Sequence, residues 1–175
     1  MDLHLLTESS TLGLYQDVEN EWLYLDWRGD LTLPIVREGC MTVSKYFLQG
    51  NYSKVLNDNT NIMSLTADVS PWLATEFLPY IVVGGIKYIA WVYAPNLNTQ
   101  HYTHIALSGL KAPIVALFSD VATAYGWLKT ARFRPPSSSV AEDLYAEKVV
   151  QMLKDRQDII PLVSTLENRL FTPNT

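Results

Sequence analysis

Apolar and polar positions alternate along the first part of this chain with a period of two, then switch to helical spacing. Leu12 and Leu14 alternate with Gly13 and Tyr15, and the aromatic-rich run Trp22-Leu23-Tyr24-Leu25-Asp26-Trp27 follows a polar, turn-prone segment at 17–21. This pattern predicts an antiparallel hairpin of strands 12–17 and 22–27, with an earlier strand at 4–7. Arg28-Gly29-Asp30 ends the second strand of the hairpin. Pro34 then opens a helix, with Thr32 or Leu33 beside it at the cap. Val36, Cys40, Val43 and Phe47 form its apolar face, and Gly50 and Asn51 suit its end.

The middle of the chain, 52–72, is organised as strand, polar stretch and helix. A short buried strand at 53–57 is expected to end in Asn57, Asp58, Asn59 and Asn61, because none of these suits a strand interior. The 58–70 segment is therefore expected to be a solvent-exposed loop. It leads to Ser70-Pro71, which has the form of an N-cap followed by a first-turn proline. Leu73, Phe77, Tyr80 and Ile81 share one face of the helix that follows, and Gly84-Gly85 stops it. The strand at 87–93 shows no alternation, as a strand covered on both faces should not. A helix starting at Asn98 carries Leu97, His101, Ile105 and Leu107 before Gly109. A strand at 114–118 follows, and Ser119 or Asp120 caps a helix with Ala124, Trp127, Leu128 and Ala131. The expected fold class is α/β: a mixed, mostly parallel sheet with an N-terminal antiparallel hairpin and flanking helices.

Beyond 131 the composition changes. Pro135-Pro136 and the serines around them read as a linker over 132–139. Ser139 and Glu142 form a capping box. Val140, Leu144, Val149 and Met152 give one amphipathic helix, and Ile159, Leu162, Val163 and Leu166 a second. The chain thus divides into an α/β domain at 1–131, the linker, and a C-terminal helical hairpin at 140–175. The hairpin has more apolar surface than its mutual contact covers. It is expected to pack on the body or to form a homodimer through these helices.

Composition removes several function classes. The 175-residue chain has a net charge of −5 and no basic cluster, which argues against nucleic-acid binding. Cys40 is the single cysteine, so neither an internal disulfide nor a multi-cysteine metal site is expected. It falls on the buried stripe and reads as a small core hydrophobe. His101 and His104 share a helix face, but nothing in their segment completes a ligand set. No metal and no cofactor is expected. Met1 to His4 lacks the cationic region of a signal peptide. The apolar run at 80–83 is broken by Gly84, Gly85 and Lys87, so no membrane span is expected. The plain reading is a cytoplasmic protein.

In open α/β sheets ligands sit at the carboxyl ends of the strands. That rule makes Asn57, Asp58, Asn59, Ser70 and Trp72 the candidate binding residues. Several stretches, in order, resemble the STAS family (sulfate transporter and anti-sigma-factor antagonist) in its SpoIIAA-like branch. Tyr24 to Gly29 resembles its second strand and glycine turn, and Lys54 to Asn59 its "vLnD" strand end. Trp72 and Phe77-Leu78-Pro79 follow. Gly85 to Ala90 resembles its "G-hydrophobic-K-y-i-A" strand, and Phe118-Ser119-Asp120, Ala124 and Trp127-Leu128 its final helix. The resemblance covers 11–131.

It implies a non-catalytic bacterial signalling or binding module that acts through a protein partner or a small ligand. Ser70 is the nearest equivalent of the serine phosphorylated in anti-sigma-factor antagonists. One alternative is a carrier of lipid or another apolar small molecule, which an apolar groove under the 98–109 helix would favour. A second is an enzyme using Asp58, with Asp26 or a histidine as its partner.

Overall fold

The computed structural model describes residues 1–132. The expected linker, helical hairpin and homodimer lie outside the described residues, apart from Arg132 at the start of the linker. Six strands form one sheet in the order β1-β2-β3-β4-β5-β6: β1 Leu3–Glu8, β2 Leu12–Asp17, β3 Trp22–Leu31, β4 Lys54–Leu65, β5 Tyr88–Val92 and β6 Ile114–Phe118. β1, β2 and β3 pair antiparallel, and β3 to β6 pair parallel. This is the mixed, mostly parallel sheet predicted from the hydrophobic pattern, with β4 in its interior.

The helices sort onto two faces. α1, Leu33–Gln49, follows Thr32 and has proline in its first turn. Its buried residues Val36, Cys40, Val43 and Phe47 are the predicted stripe. With the short α2, Val69–Trp72, and with α3, Leu97–Leu107, it covers the face that carries Leu23, Leu25, Trp27, Val55, Ile89 and Trp91. α4, Val121–Thr130, covers the other face and packs Ala124 and Leu128 against Trp22, Leu56, Tyr88, Ala90 and Val92. Asp120 caps α4 by accepting the Thr123 backbone N–H at 2.8 Å. That bond, with the Thr123 hydroxyl, holds its carboxyl below the usual carboxylate range.

Three expectations are corrected. First, β4 does not end at Asn57. It continues to Leu65, and Asn57, Asp58 and Asn59 are buried within it. The 58–70 segment is therefore not an exposed loop. β4 pairs with β5 only as far as Asp58, but with β3 as far as Leu65. β3 and β4 thus run past the rest of the sheet as a two-stranded ribbon, an overhang of roughly 20 Å at about 3.3 Å per residue. The polar residues survive in the strand because their side chains bond to one another and to neighbouring strands, which offsets their burial.

Second, Ser70 is not the N-cap. Asp68 holds that position, and Ser70 lies inside α2 at 1% exposure. The helix beyond it is not regular. Leu73–Phe77 forms a π-turn, closed by the Leu78 N–H to Leu73 O bond at 2.9 Å, and Ile81–Gly84 is a 3-10 turn. Gly85 ends it at φ +94, a left-handed conformation that glycine adopts without strain.

Third, α3 is turned from its expected face. Thr99, Thr103 and Ala106 are buried, whereas Leu97 is 80% exposed and Ile105 also faces solvent. The two threonines can point inward because the Thr103 hydroxyl donates to Thr99 O at 3.1 Å, so it goes in already bonded.

Candidate functional site

An apolar cavity lies between the sheet and the three helical segments on its α1 face. Its non-atom volume is about 730 Å³, counting the space open to solvent at its mouth. The floor is Leu25 and Trp27 of β3, Val55, Asn57 and Asn59 of β4, and Ile89 and Trp91 of β5. α1 contributes Val36, Cys40, Val43 and Phe47 as one wall. Val69, the π-turn residues Leu73 and Phe77, and Leu78 form a second wall. Thr99 and Thr103 of α3 close a third side, and Ile62 and Leu65 reach in from the β3–β4 overhang.

The inward turn of Ile62 has a local cause. Asp26 pairs with Asp58 and Arg28 with Asn61, so β4 carries one extra residue between these pairs. Such a bulge switches the face that later residues present. Asn57 and Asn59 line the cavity before it, and Ile62 lines it afterwards.

Among the described residues no charged side chain lines this cavity. Its polar feature is a chain of side chains across the floor. The Trp27 Nε1–H donates to Asn57 Oδ1 at 3.1 Å, Asn57 Nδ2 donates to Asn59 Oδ1 at 3.1 Å, and Asn59 Nδ2 donates to Val92 O at 2.7 Å. The direction of this chain is forced. An indole N–H only donates and a backbone carbonyl only accepts, so both amides can be oriented one way alone. Each amide nitrogen then has a second hydrogen left over.

Trp91 stands beside them: it is the register partner of Asn57 on β5, it lines the cavity, and its buried Nε1 has no hydrogen-bond partner among the described residues. Burial pushes the thiol of Cys40 well above its ordinary range, so at neutral pH it contributes to the wall as an uncharged group.

The five candidate residues are thus separated. Asn57 and Asn59 meet in the cavity. Asp58 points to the opposite face, as alternation along a strand requires. There its Oδ2 accepts from the Tyr24 hydroxyl at 2.7 Å and its Oδ1 from the Thr60 N–H at 2.9 Å. Asp26, its register partner, is held by Arg28 Nε at 2.8 Å and Asn61 Nδ2 at 3.1 Å. Trp72 stacks on Phe77 with ring centroids 5.9 Å apart, under the Arg37 guanidinium at 5.4 Å. Ser70 is also buried, with no partner for its hydroxyl among the described residues. His101 and His104 are both exposed, and His104 Nε2 lies 3.2 Å from the Tyr93 hydroxyl. Among the described residues no group of three or more His, Cys, Asp or Glu could hold a metal ion, and no helix is long and apolar enough to cross a membrane.

No family profile and no curated protein matches this chain. Among solved structures it is similar to an uncharacterised protein of the DUF3478 family from Shewanella loihica, described as having a SpoIIAA-like fold. The two share 17% identity, over 70% of this chain and 99% of that one, with a TM-score of 0.47.

Sequence reasoning missed Trp27, Trp91, Thr99 and Thr103. Two signals for the site were present. Asn57 and Asn59 have the period of a strand, and Thr99 and Thr103 are four apart on a helix whose apolar residues fall on no single face.

Proposed function

We propose that this chain is a non-catalytic binding module that takes a small apolar molecule into the cavity between the sheet and α1, α2 and α3. The observation that carries the reading is a cavity with apolar walls, no charged lining residue among the described ones and a small polar patch on its floor. That composition is usual for small-molecule sites, where apolar walls supply affinity and a few polar groups set orientation. Both oxygens of Asp58 are already engaged on the far side of the sheet, which favours binding over catalysis by that carboxylate.

The test is extraction of natively purified full-length protein with organic solvent, followed by mass spectrometry, beside titration of the stripped protein with methyl nonanoate. Trp27 and Trp91 line the cavity, so binding should change the tryptophan emission. At a hundredfold excess over Kd it should add about 2.7 kcal/mol of stability. Absence of both a retained molecule and any response to the ester would overturn the reading.

A second reading, docking of a protein partner, is favoured by one surface feature. Met63 is 73% and Leu97 80% exposed, and the Asn96 Nδ2 bond to Met63 O at 3.2 Å brings these two stretches together. Replacing both side chains by serine should weaken capture of such a partner and leave ester binding unchanged.

A further inference from the structure

The polar floor of the cavity restricts what its occupant can be. Trp91 is 9% exposed, and its indole N–H is buried with no partner among the described residues. Leaving such a donor unpaired costs about 1–3 kcal/mol, so it calls for an acceptor. The neighbouring amides of Asn57 and Asn59 add donors, because each nitrogen has spent one of its two hydrogens. Three such N–H groups are therefore carried by residues on adjacent strands that line the apolar chamber.

Among the described residues no lysine, arginine or histidine lines the chamber to balance an anion. A carboxylate or phosphate brought there would lose its hydration without gaining a counter-charge. An aliphatic chain alone would fill the space and leave the Trp91 N–H unpaired.

We infer that the ligand is an uncharged apolar molecule bearing a carbonyl-type acceptor, such as an ester or ketone, which accepts from the Trp91 Nε1–H with Asn57 and Asn59 at its side. This rests on the cavity being a binding site, and it names the chemical class that site selects.

The experiment compares methyl nonanoate, nonanoate and nonane against full-length protein at neutral pH by calorimetry. The ester should bind roughly three- to tenfold more tightly than nonane, the worth of one net hydrogen bond. Nonanoate should bind more than about tenfold more weakly than the ester. In Trp91→Phe, which keeps a ring and removes the N–H, the ratio of ester to nonane affinity should fall to about one.

A measurement on the unaltered protein accompanies the variant, in case Trp91→Phe does not fold. With nitrogen-15 labelling, one indole N–H resonance should move downfield with the ester and not with nonane. Nonanoate binding as tightly as the ester would overturn the inference and leave the cavity reading intact. So would an ester preference that survives Trp91→Phe, or indole signals that respond alike to ester and nonane. If none of the three compounds binds, the cavity reading itself fails, and this inference with it.

Discussion

Tyr24 on β3 donates its phenol hydrogen to Asp58 on β4 at 2.7 Å, on the face of the sheet opposite the cavity. Burial first, and the Asp58 hydrogen bond and charge after it, hold the phenol above its ordinary range. The pairing lets a carboxylate occupy an interior strand position at 3% exposure, between two asparagines that face the other way. It is also why β4 continues through a stretch whose composition suggests a strand end.

Removing the Tyr24 hydroxyl should therefore destabilise the fold. Tyr24→Phe leaves Asp58 Oδ2 buried without a donor, at a cost of about 1–3 kcal/mol. Urea denaturation should show the loss as a lower midpoint with an unchanged slope. Adding Asp58→Asn to the Tyr24→Phe protein should recover part of it, because the orphaned charge is gone. A Tyr24→Phe protein as stable as the parent would show that the bond contributes nothing.

Cys40 sets an alkaline limit on stability. Burial raises the pKa of its thiol in the folded protein. The contribution is therefore complete below the unfolded thiol pKa of about 8.5. It falls above that by about 1.4 kcal/mol per pH unit, because only the unfolded chain releases the proton. Tyr24 acts with the same sign from about pH 10. Unfolding free energies measured on either side of the thiol pKa should decline in the parent and run flatter in Cys40→Ala. Thiol-specific labelling of the folded protein should be slow until it is denatured.

Much of this fold was legible because hydrophobic period and local chemistry agreed. Leu12 and Leu14, the Trp22 to Trp27 run, and the stripe Val36, Cys40, Val43 and Phe47 all point the way their spacing says. Legibility failed where polar side chains were bonded to partners distant in sequence. Asn57 read as a strand end, and Asp58 and Asn59 as a loop, because their partners Trp27, Tyr24 and Val92 lie on other strands. On α3 the threonines went inward and Leu97 outward, an inversion that local propensity does not reveal. Of the candidate residues named from the sequence, Asn57 and Asn59 line the cavity, whereas Asp58 between them faces the other side of the sheet.

Gly126 offers a stabilising substitution. It sits in the exposed middle of α4, and a Cβ built there meets no atom of the described residues within 4 Å. Alanine in a helix interior is better than glycine by about 0.5–1 kcal/mol, so Gly126→Ala should raise the urea midpoint by a corresponding amount. A lower midpoint would mean that α4 is not a regular helix at this position.

Gly39 is the opposite case, although it too is a helical glycine. It lies in α1 against the ring of Trp27, and a Cβ there would come within 2.4 Å of the indole. That ring is buried at 6% exposure and tied to Asn57 through its Nε1, so it cannot swing away as the end of a flexible side chain could. Gly39→Ala should therefore lose stability by about 1–3 kcal/mol despite the better helix propensity of alanine. Because the displaced ring carries the first donor of the Trp27–Asn57–Asn59 chain, the same substitution should weaken ester binding in the cavity. Trp27→Leu shortens the obstacle, and in that background Gly39→Ala should become neutral or slightly stabilising, as Gly126→Ala is. The two residues touch, so their effects should be strongly non-additive in a double-mutant cycle. Additive losses would show that Gly39 is needed for something other than room for Trp27.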